Sequence, residues 1–348
     1  MRWQWLNFGP SASERDRAPL LQQLATPMAE PPRLVHGEAL KQTRRRYVVE
    51  FKNVLCAIDL SDASVRTLTY AAAVARWYGA RLTVLHVAPT FDAMQVRAGA
   101  LGDAVDIVQP MPREEVLNEL RKALAVSKTA EDAATLAAVA GEPVATIVDQ
   151  ALSIQADLLV MGTHGRSGFD RLLLGSVTEK VLHKAPCPIL TVPPHATQNT
   201  ETDGTFSRIL CPMDFSLSAL QALGFAVDLA RQSGGSVIAL HAIEWLADDV
   251  SAHARFNVQD FRQHLTEDAH ARLGALIADQ PGGTCSIEKV VEIGRAYRKV
   301  LSIAEARAAD LIVMGAQGLG GMGLTLFGST TQQVVRGATC PVLTVRGR

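Results

Sequence analysis

The chain has 348 residues, of which 48% are apolar and 20% are charged, and its formal net charge is −1. This is the composition of an ordinary globular protein of about two domains, and the near-neutral charge does not support a general binder of nucleic acid or membrane surfaces. The sequence contains neither an apolar stretch long enough to span a bilayer nor the apolar core of a signal peptide, so we expect a cytoplasmic protein.

The first segment of the chain, residues 1–49, is polar, contains several prolines and carries a basic run at 44–46. Such a segment buries little apolar surface, so we predict a poorly ordered extension. A partner-binding arm is the alternative, and no motif supports it.

Apolar runs alternate with helical patterns between residues 50 and 195. A buried strand, VLCAID, ends in Asp59 and is followed by a helical pattern with a Ser/Asp start. The remaining predictions are the strand RLTVLHV, an irregular loop over 89–111, a helix near Pro112, the strand TLAAVA, the helix VATIVDQALSIQ, the strand DLLVM, a glycine loop, the helix SVTEKVLHKA and the strand PILTV.

The same order returns between residues 206 and 348, including a long helix over about 258–279. Strands that alternate with helices predict a parallel sheet with helices on both faces. We therefore predict an α/β fold of two doubly wound, Rossmann-like domains in tandem, residues 50–195 and 206–348.

One glycine spacing occurs once in each half. The segments MGTHGRSGFDRLLLGS and MGAQGLGGMGLTLFGS both read G-x2-G-x9-G-S, and they lie 153 residues apart. Each follows a predicted strand and precedes a predicted helix, where backbone N–H groups can hold phosphate oxygens. Gly162 and Gly165 would let the backbone turn sharply and approach a ligand. The alternative is a structural loop whose serine caps the helix.

An aspartate follows the first strand of each half, Asp59 in the first and Asp214 in the second. A carboxylate there can accept a hydrogen bond from adenosine, or it can cap the next helix; we favour ligand contact for Asp59. His86 and His241 end the second strand of each half, and we interpret them as hydrogen-bonded strand-end residues rather than catalysts.

With these motifs, both halves resemble the universal stress protein family in its tandem form. The glycine spacing, the strand-end aspartate and the closing Cys-Pro-(Ile/Val)-Leu-Thr-Val strand carry the resemblance. It implies an adenine nucleotide alpha hydrolase-like fold and a role in stress response or signalling. It also implies ATP, ADP or AMP as the ligand, with Mg²⁺ accompanying ATP.

The resemblance further implies which residues contact the nucleotide. In the first half these are Asp59 at the adenosine, Val87 near the adenine, Met161 and Gly162 at the base and ribose, and Gly165, Arg166, Gly175, Ser176 and Val177 at the phosphates. The matching residues of the second half are Asp214, Ala242, Met314, Gly315, Gly318, Gly328, Ser329 and Thr330. The final strands, around 187–192 and 340–345, would pair with each other inside the chain, and a homodimer also stays open.

The two glycine loops differ in charge. Arg166 and Arg171 lie in the first loop, and guanidinium groups pair well with phosphate. The second loop carries no charge, and Arg295 and Arg298 are the candidates to replace the missing ones. We predict that the first site binds nucleotide more tightly than the second.

Other function classes find little support in the sequence. Gly318, Gly320 and Gly323 form a G-x-G-x-x-G, but it lies in the last βαβ unit without the acid that a dinucleotide site requires about 20 residues later. A P-loop, a zinc-protease motif and a nucleophile elbow are absent. We predict no catalytic or metal-ligating residue. A slow ATP hydrolase and an interaction protein that binds no nucleotide remain the alternatives. Hydrolysis needs a water-positioning base, so we favour binding.

Four of the five cysteines belong to the repeat and lie in apolar strand patterns: Cys56, Cys187, Cys211 and Cys340. We predict buried free thiols rather than a disulfide framework or a metal site. Cys285 receives no role.

Overall fold

The structure is a computed structural model, and it describes residues 49–88, 111–127, 129–163, 174–196, 205–244, 258–278, 285–318 and 327–346. The predicted extension over 1–49 and the predicted irregular loop over 89–111 lie outside these residues, apart from residues 49 and 111.

The first half contains five strands and the helices between them in the described ranges. They are β1 Asn53–Ala57, α1 Asp62–Tyr78, β2 Arg81–Ala88, α2 Arg113–Val126, a 3-10 turn Glu131–Ala133, β3 Ala134–Ala140, α3 Pro143–Ser153, β4 Leu158–Gly162, α4 Ser176–Lys184 and β5 Ile189–Val192. Helix α1 forms here because its apolar residues recur at helical spacing, and it buries Leu68, Ala71, Ala72 and Ala75. It ends at Gly79, which adopts the left-handed conformation with φ 61°.

The second half repeats this order. Its elements are β6 Arg208–Pro212, α5 Leu217–Ser233, β7 Ser236–Ile243, α6 Val258–Ala278, β8 Ser286–Ile293, α7 Ala296–Ala306, β9 Leu311–Gly315, α8 Ser329–Gly337 and β10 Val342–Val345. Helix α5 ends like α1, at a left-handed glycine, Gly234 with φ 68°.

The described strands form one ten-stranded sheet in the order β3-β2-β1-β4-β5-β10-β9-β6-β7-β8. Neighbouring strands run parallel within each half, and β5 and β10 join the halves as an antiparallel pair. The predicted α/β fold with two parallel, doubly wound domains in tandem is confirmed. Among the described helices, none has both the length and the apolar character needed to cross a membrane.

The inner strands are largely apolar because helices cover both faces of the sheet. In β1, Val54 and Cys56 face one hydrophobic cluster, whereas Leu55 and Ala57 face the other. The side chains alternate because successive residues of a strand point to opposite faces. This fixed, buried frame determines where the carboxyl ends of the strands lie.

The four repeat cysteines are buried free thiols, as predicted. Burial raises the pKa of the Cys56 and Cys211 thiols far above their ordinary value. Burial also raises the pKa of Cys187 and Cys340 to about 12. These cysteines therefore act as small core residues at ordinary pH.

Candidate functional site

Each half has a topological switch point in its strand order. In the first half, β1 pairs with β2 on one side and β4 on the other, and in the second half β6 lies between β7 and β9. Parallel sheets bind ligands outside the carboxyl ends of their strands at such points. Asp59 follows β1 by two residues and Gly162 ends β4, and Asp214 and Gly315 take the matching places beside β6 and β9.

The strand-end aspartates organise the entry to the next helix. In the first half, Asp59 Oδ1 accepts hydrogen bonds from the Ser61 backbone N–H at 3.1 Å and from the hydroxyls of Ser61 and Ser64, both at 2.7 Å. In the second half, Asp214 Oδ1 accepts from the Ser216 N–H at 3.0 Å and its hydroxyl at 2.5 Å. One oxygen of each carboxylate is thus held in place by the turn itself.

Both aspartates are followed by a bulky residue in the left-handed region. Leu60 has φ 62° and Phe215 has φ 65°. This conformation is uncommon for large side chains and costs on the order of 1–3 kcal/mol. Because the same strain occurs at the same place in both halves, and strained residues cluster at functional sites, the turns mark the carboxyl edge as a candidate site.

The helix after each glycine loop begins at a serine but is capped by a glycine. Helix α4 starts at Ser176 with Gly175 as its N-cap, and α8 starts at Ser329 with Gly328 as its N-cap. The alternative in which a serine caps the helix is therefore wrong. Both serines are exposed, and N–H groups in the first turn of a helix have no acceptor within that helix. Such a helix end favours an anion.

Two threonines that sequence reasoning missed tie these helix ends to the strands. The Thr178 hydroxyl donates to the Gly162 carbonyl at 2.8 Å, and the Thr331 hydroxyl donates to the Gly315 carbonyl at 3.0 Å. The signal was present in the sequence, because a threonine stands two residues after the serine in both repeats. The threonines hold the helix N-terminus beside the end of β4 or β9.

The glycines of the second loop have three different environments. A β-carbon on Gly315 would lie 2.8 Å from the Ser218 Cβ, and one on Gly318 would lie 2.6 Å from Asp214 Oδ2. A β-carbon on Gly328 would meet its nearest described neighbour, the Thr331 hydroxyl oxygen, at 3.4 Å. None of them has a positive φ, and neither does Gly162, which ends β4. Residues 164–173 lie outside the described part of the chain, so the sharp turn after Gly162 stays a prediction. Close packing explains Gly315.

The strand-end histidines are hydrogen-bonded, in agreement with our interpretation of them. His86 Nδ1 lies 2.9 Å from the Ile58 carbonyl oxygen, and His241 Nδ1 lies 2.7 Å from that of Met213. Since a carbonyl only accepts, Nδ1 carries the proton in each ring. Each hydrogen bond holds the backbone in place just before the strained residue, Leu60 in the first half and Phe215 in the second.

The second half also has a group of ring contacts at this edge that sequence reasoning missed. The Phe215 ring lies 4.5 Å from the His241 ring, centroid to centroid, and the Arg272 guanidinium lies 4.1 Å from the Phe215 centroid. Burial lowers the pKa of His241, although the hydrogen bond to the Met213 carbonyl acts in the opposite direction. A neutral imidazole and an arginine therefore flank the ring, which anchors α6 over the strand end.

The remaining candidates are distributed as follows. Val87, Met161 and Val177 lie at the carboxyl edge of the first half, and Ala242, Met314 and Thr330 lie at that of the second. Gly165, Arg166, Arg171, Gly320 and Gly323 lie outside the described residues.

The proposed replacement of the missing loop charges is not favoured by the topology. Arg295 and Arg298 follow β8, and β7 separates β8 from β6 in the sheet. Arg298 donates to the Tyr297 hydroxyl at 3.0 Å. Both arginines thus lie at the outer end of the sheet rather than at the switch point.

The comparisons with known proteins concern the family and the fold. A model of the universal stress protein family matches residues 50–193 and 205–346. A universal stress protein of Mycobacterium tuberculosis is 29% identical over 204 residues, which cover 59% of this chain and 66% of that protein. The chain therefore spans just under two thirds of that relative's length.

Two further matches extend over more of the chain. A universal stress protein of Mycolicibacterium smegmatis is 27% identical over 298 residues, which cover 85% of this chain and 97% of that protein. The crystal structure of a universal stress protein from Archaeoglobus fulgidus superposes with a TM-score of 0.54 at 24% identity and covers 84% of this chain and 98% of that one. That structural likeness concerns the fold.

Proposed function

Because this chain belongs to the universal stress protein family, we propose that each half binds an adenine nucleotide at the carboxyl edge of its strands. Binding would make the protein a stress-response or signalling module rather than an enzyme. The cytoplasmic location expected from the sequence stays a prediction.

The observation that carries the proposal is the glycine at position 328. Its backbone has φ −64° and ψ 139°, a conformation open to any residue. The nearest described atoms would lie 3.4 and 3.6 Å from a β-carbon, which is close but tolerable contact. Neither the backbone nor the described neighbours of Gly328 require glycine here. A phosphate that approaches the first-turn N–H groups of α8 would require it.

The roles of the other residues follow from their positions. Asp59 and Asp214, fixed through one oxygen by the serine bonds, would contact the adenosine. Met161, Met314 and the backbone of Val87 and Ala242 would line the base and ribose. The first-turn N–H groups of α4 and α8, which begin at Ser176–Val177 and Ser329–Thr330, would bind the phosphates together with the glycine loops. Mg²⁺ would accompany ATP, bound mainly through its phosphates.

The test begins with protein purified without added nucleotide. Denaturing it and identifying the released small molecules by chromatography and mass spectrometry should yield about one or two adenine nucleotides per chain, one per predicted site. Protein that releases none would be titrated with ATP, ADP and AMP by calorimetry. The absence of binding in both experiments would contradict the proposal and favour an interaction protein.

A hydrolase is distinguished by a second measurement. Phosphate release from ATP should be negligible, because one oxygen of each strand-end carboxylate already accepts hydrogen bonds from serines. Release that disappears in Gly175→Val would instead indicate a slow ATP hydrolase in the first half.

A further inference from the structure

The two halves meet along one continuous contact, which we refer to as the seam. It consists of the antiparallel pair β5–β10 together with the contacts of α4, α8 and the residues next to them. In the strand pair, Leu190 faces Leu343 at the centre of the register. From the glycine loops to the final strands, matching positions of the two halves lie 153 residues apart, and contacts at the seam are symmetric where both members of a matching pair form them.

The strand pair of the seam is symmetric. The Thr191 hydroxyl donates to the Val342 carbonyl at 3.1 Å, and the Thr344 hydroxyl donates to the Ile189 carbonyl at 3.3 Å. Thr191 and Thr344 are matching positions, as are Ile189 and Val342. Two copies of the same half would form the same bonds, so the strands do not discriminate between partners.

The helix contact at the seam is asymmetric in its chemistry. Gln332 Nε2 donates to Glu179 Oε1 at 2.6 Å, and the two residues are matching positions, 153 residues apart. Both side chains are half-buried. A pair of first halves would place two carboxylates together, without a donor between them. A pair of second halves would place two neutral amides together, which can bond to each other. The mixed pair provides a charged acceptor and a neutral donor, so the pair of first halves is the one that is penalised.

Two more contacts across the seam use residues that differ between the halves. Arg346 Nη2 donates to the Leu182 carbonyl at 2.9 Å, and the residue that matches Arg346 is Pro193, which has no side-chain donor. The His183 ring lies 5.5 Å from the Phe327 ring, and Leu174 stands where Phe327 would be in the first half.

We propose that the seam is an interaction surface that fits the opposite half of the chain and rejects a second copy of the first half, with the Glu179–Gln332 pair as its selective contact. The strand pair stabilises the contact between any two halves, and the helix contact determines which halves can pair. The inference does not depend on nucleotide binding, because every contact in it lies between the two halves.

The test exchanges the two side chains in the full-length protein. Gln332→Glu opposes two carboxylates and should lower Tm by about 2 °C or more, since breaking a charged hydrogen bond costs at least about 1 kcal/mol. The double variant Glu179→Gln/Gln332→Glu restores a carboxylate–amide pair in the reverse direction and should recover the wild-type Tm. Gln333→Glu, on the exposed neighbouring residue of α8, is the matched control and should leave Tm unchanged.

Light scattering after size-exclusion chromatography measures the molar mass and so shows whether halves of different chains pair. In Glu179→Gln both halves carry a neutral amide at this position, so the penalty on pairing two first halves is removed. At high protein concentration some chains should then share their final strands, and the mass should rise above that of the wild type. The double variant should return to the wild-type mass. A Gln332→Glu protein that matches Gln333→Glu in Tm, a Glu179→Gln protein with the wild-type mass, or a double variant that does not recover would overturn the proposal. If Gln332→Glu does not fold, folding of the double variant decides the question in the same way.

Discussion

The carboxylate of Asp214 lies directly against Gly318, so that a β-carbon at position 318 would come within 2.6 Å of Asp214 Oδ2. Asp214 follows β6, and Gly318 belongs to the loop after β9. The contact therefore joins the two motifs across the switch point of the second half. Because the other oxygen of Asp214 is held by Ser216, the carboxylate has little room to move away.

Gly318→Ala should weaken nucleotide binding at the second site by about tenfold or more, because the added methyl group must displace the Asp214 carboxylate. Calorimetric titration in a Gly175→Val background isolates that site. Gly274→Ala on α6 is the control, since the nearest atom to its β-carbon would be the flexible Lys289 Nζ at 3.4 Å. An affinity for Gly318→Ala equal to that of the control would remove Asp214 from the site.

Gly315→Ala and Gly328→Ala should separate stability from binding. A β-carbon at 315 would lie 2.8 Å from the Ser218 Cβ and 2.9 Å from its carbonyl carbon, so α5 must shift, which costs about 1–3 kcal/mol of the free energy of unfolding. Gly328→Ala should leave that free energy unchanged or raise it by about 0.5 kcal/mol, because alanine restricts the unfolded chain.

Urea unfolding gives both free energies, and nucleotide titration completes the comparison. Gly328→Ala should lose affinity at the second site although it is fully stable. A stable variant with wild-type binding at that site would mean that the space beside Gly328 holds no phosphate, and it would contradict the central observation behind the proposed function.

These glycines also indicate how far the sequence could be interpreted without the structure. The order of strands and helices was predictable because apolar runs and helical spacing are local signals. The reason for Gly315 was not, because its close neighbour Ser218 lies 97 residues earlier in the chain and only the fold brings them together. The stacking of Arg272 on Phe215 was hidden in the same way.

The difference between the two sites is tested by blocking one at a time. Arg166 and Arg171 stand only in the first loop, so the first site should bind more tightly. Calorimetry should find that Gly175→Val removes the tighter phase and Gly328→Val the weaker one. The ranking is wrong if Gly175→Val keeps all binding while Gly328→Val abolishes it.

His241 should make stability depend on pH. Burial lowers its pKa in the folded protein below the ordinary value of 6.5, so the folded state favours the neutral ring. Its contribution to stability is complete above about pH 6.5 and is lost as the pH falls from there toward the folded pKa.

His241→Asn should therefore flatten the decline in the free energy of unfolding between pH 7 and pH 5, because the asparagine amide can still donate to the Met213 carbonyl but does not titrate. His270→Asn on the exposed side of α6 is the control for the loss of a histidine and should keep the wild-type decline. Equal pH profiles for His241→Asn and wild type would show that the ring is not responsible.

Native protein should react with a thiol alkylating agent first at Cys285. This cysteine is half-buried, whereas Cys187 and Cys340 are buried and their pKa is raised to about 12, which leaves roughly one thiolate in ten thousand at pH 8. Mass spectrometry of short alkylation times should find one label, Cys285→Ser should remove it, and urea should expose all five thiols. Cys187 and Cys340 lie just before β5 and β10, the two strands of the seam. If either were labelled before Cys285, the two halves would have to separate in the native protein, which would contradict a closed pairing of β5 with β10.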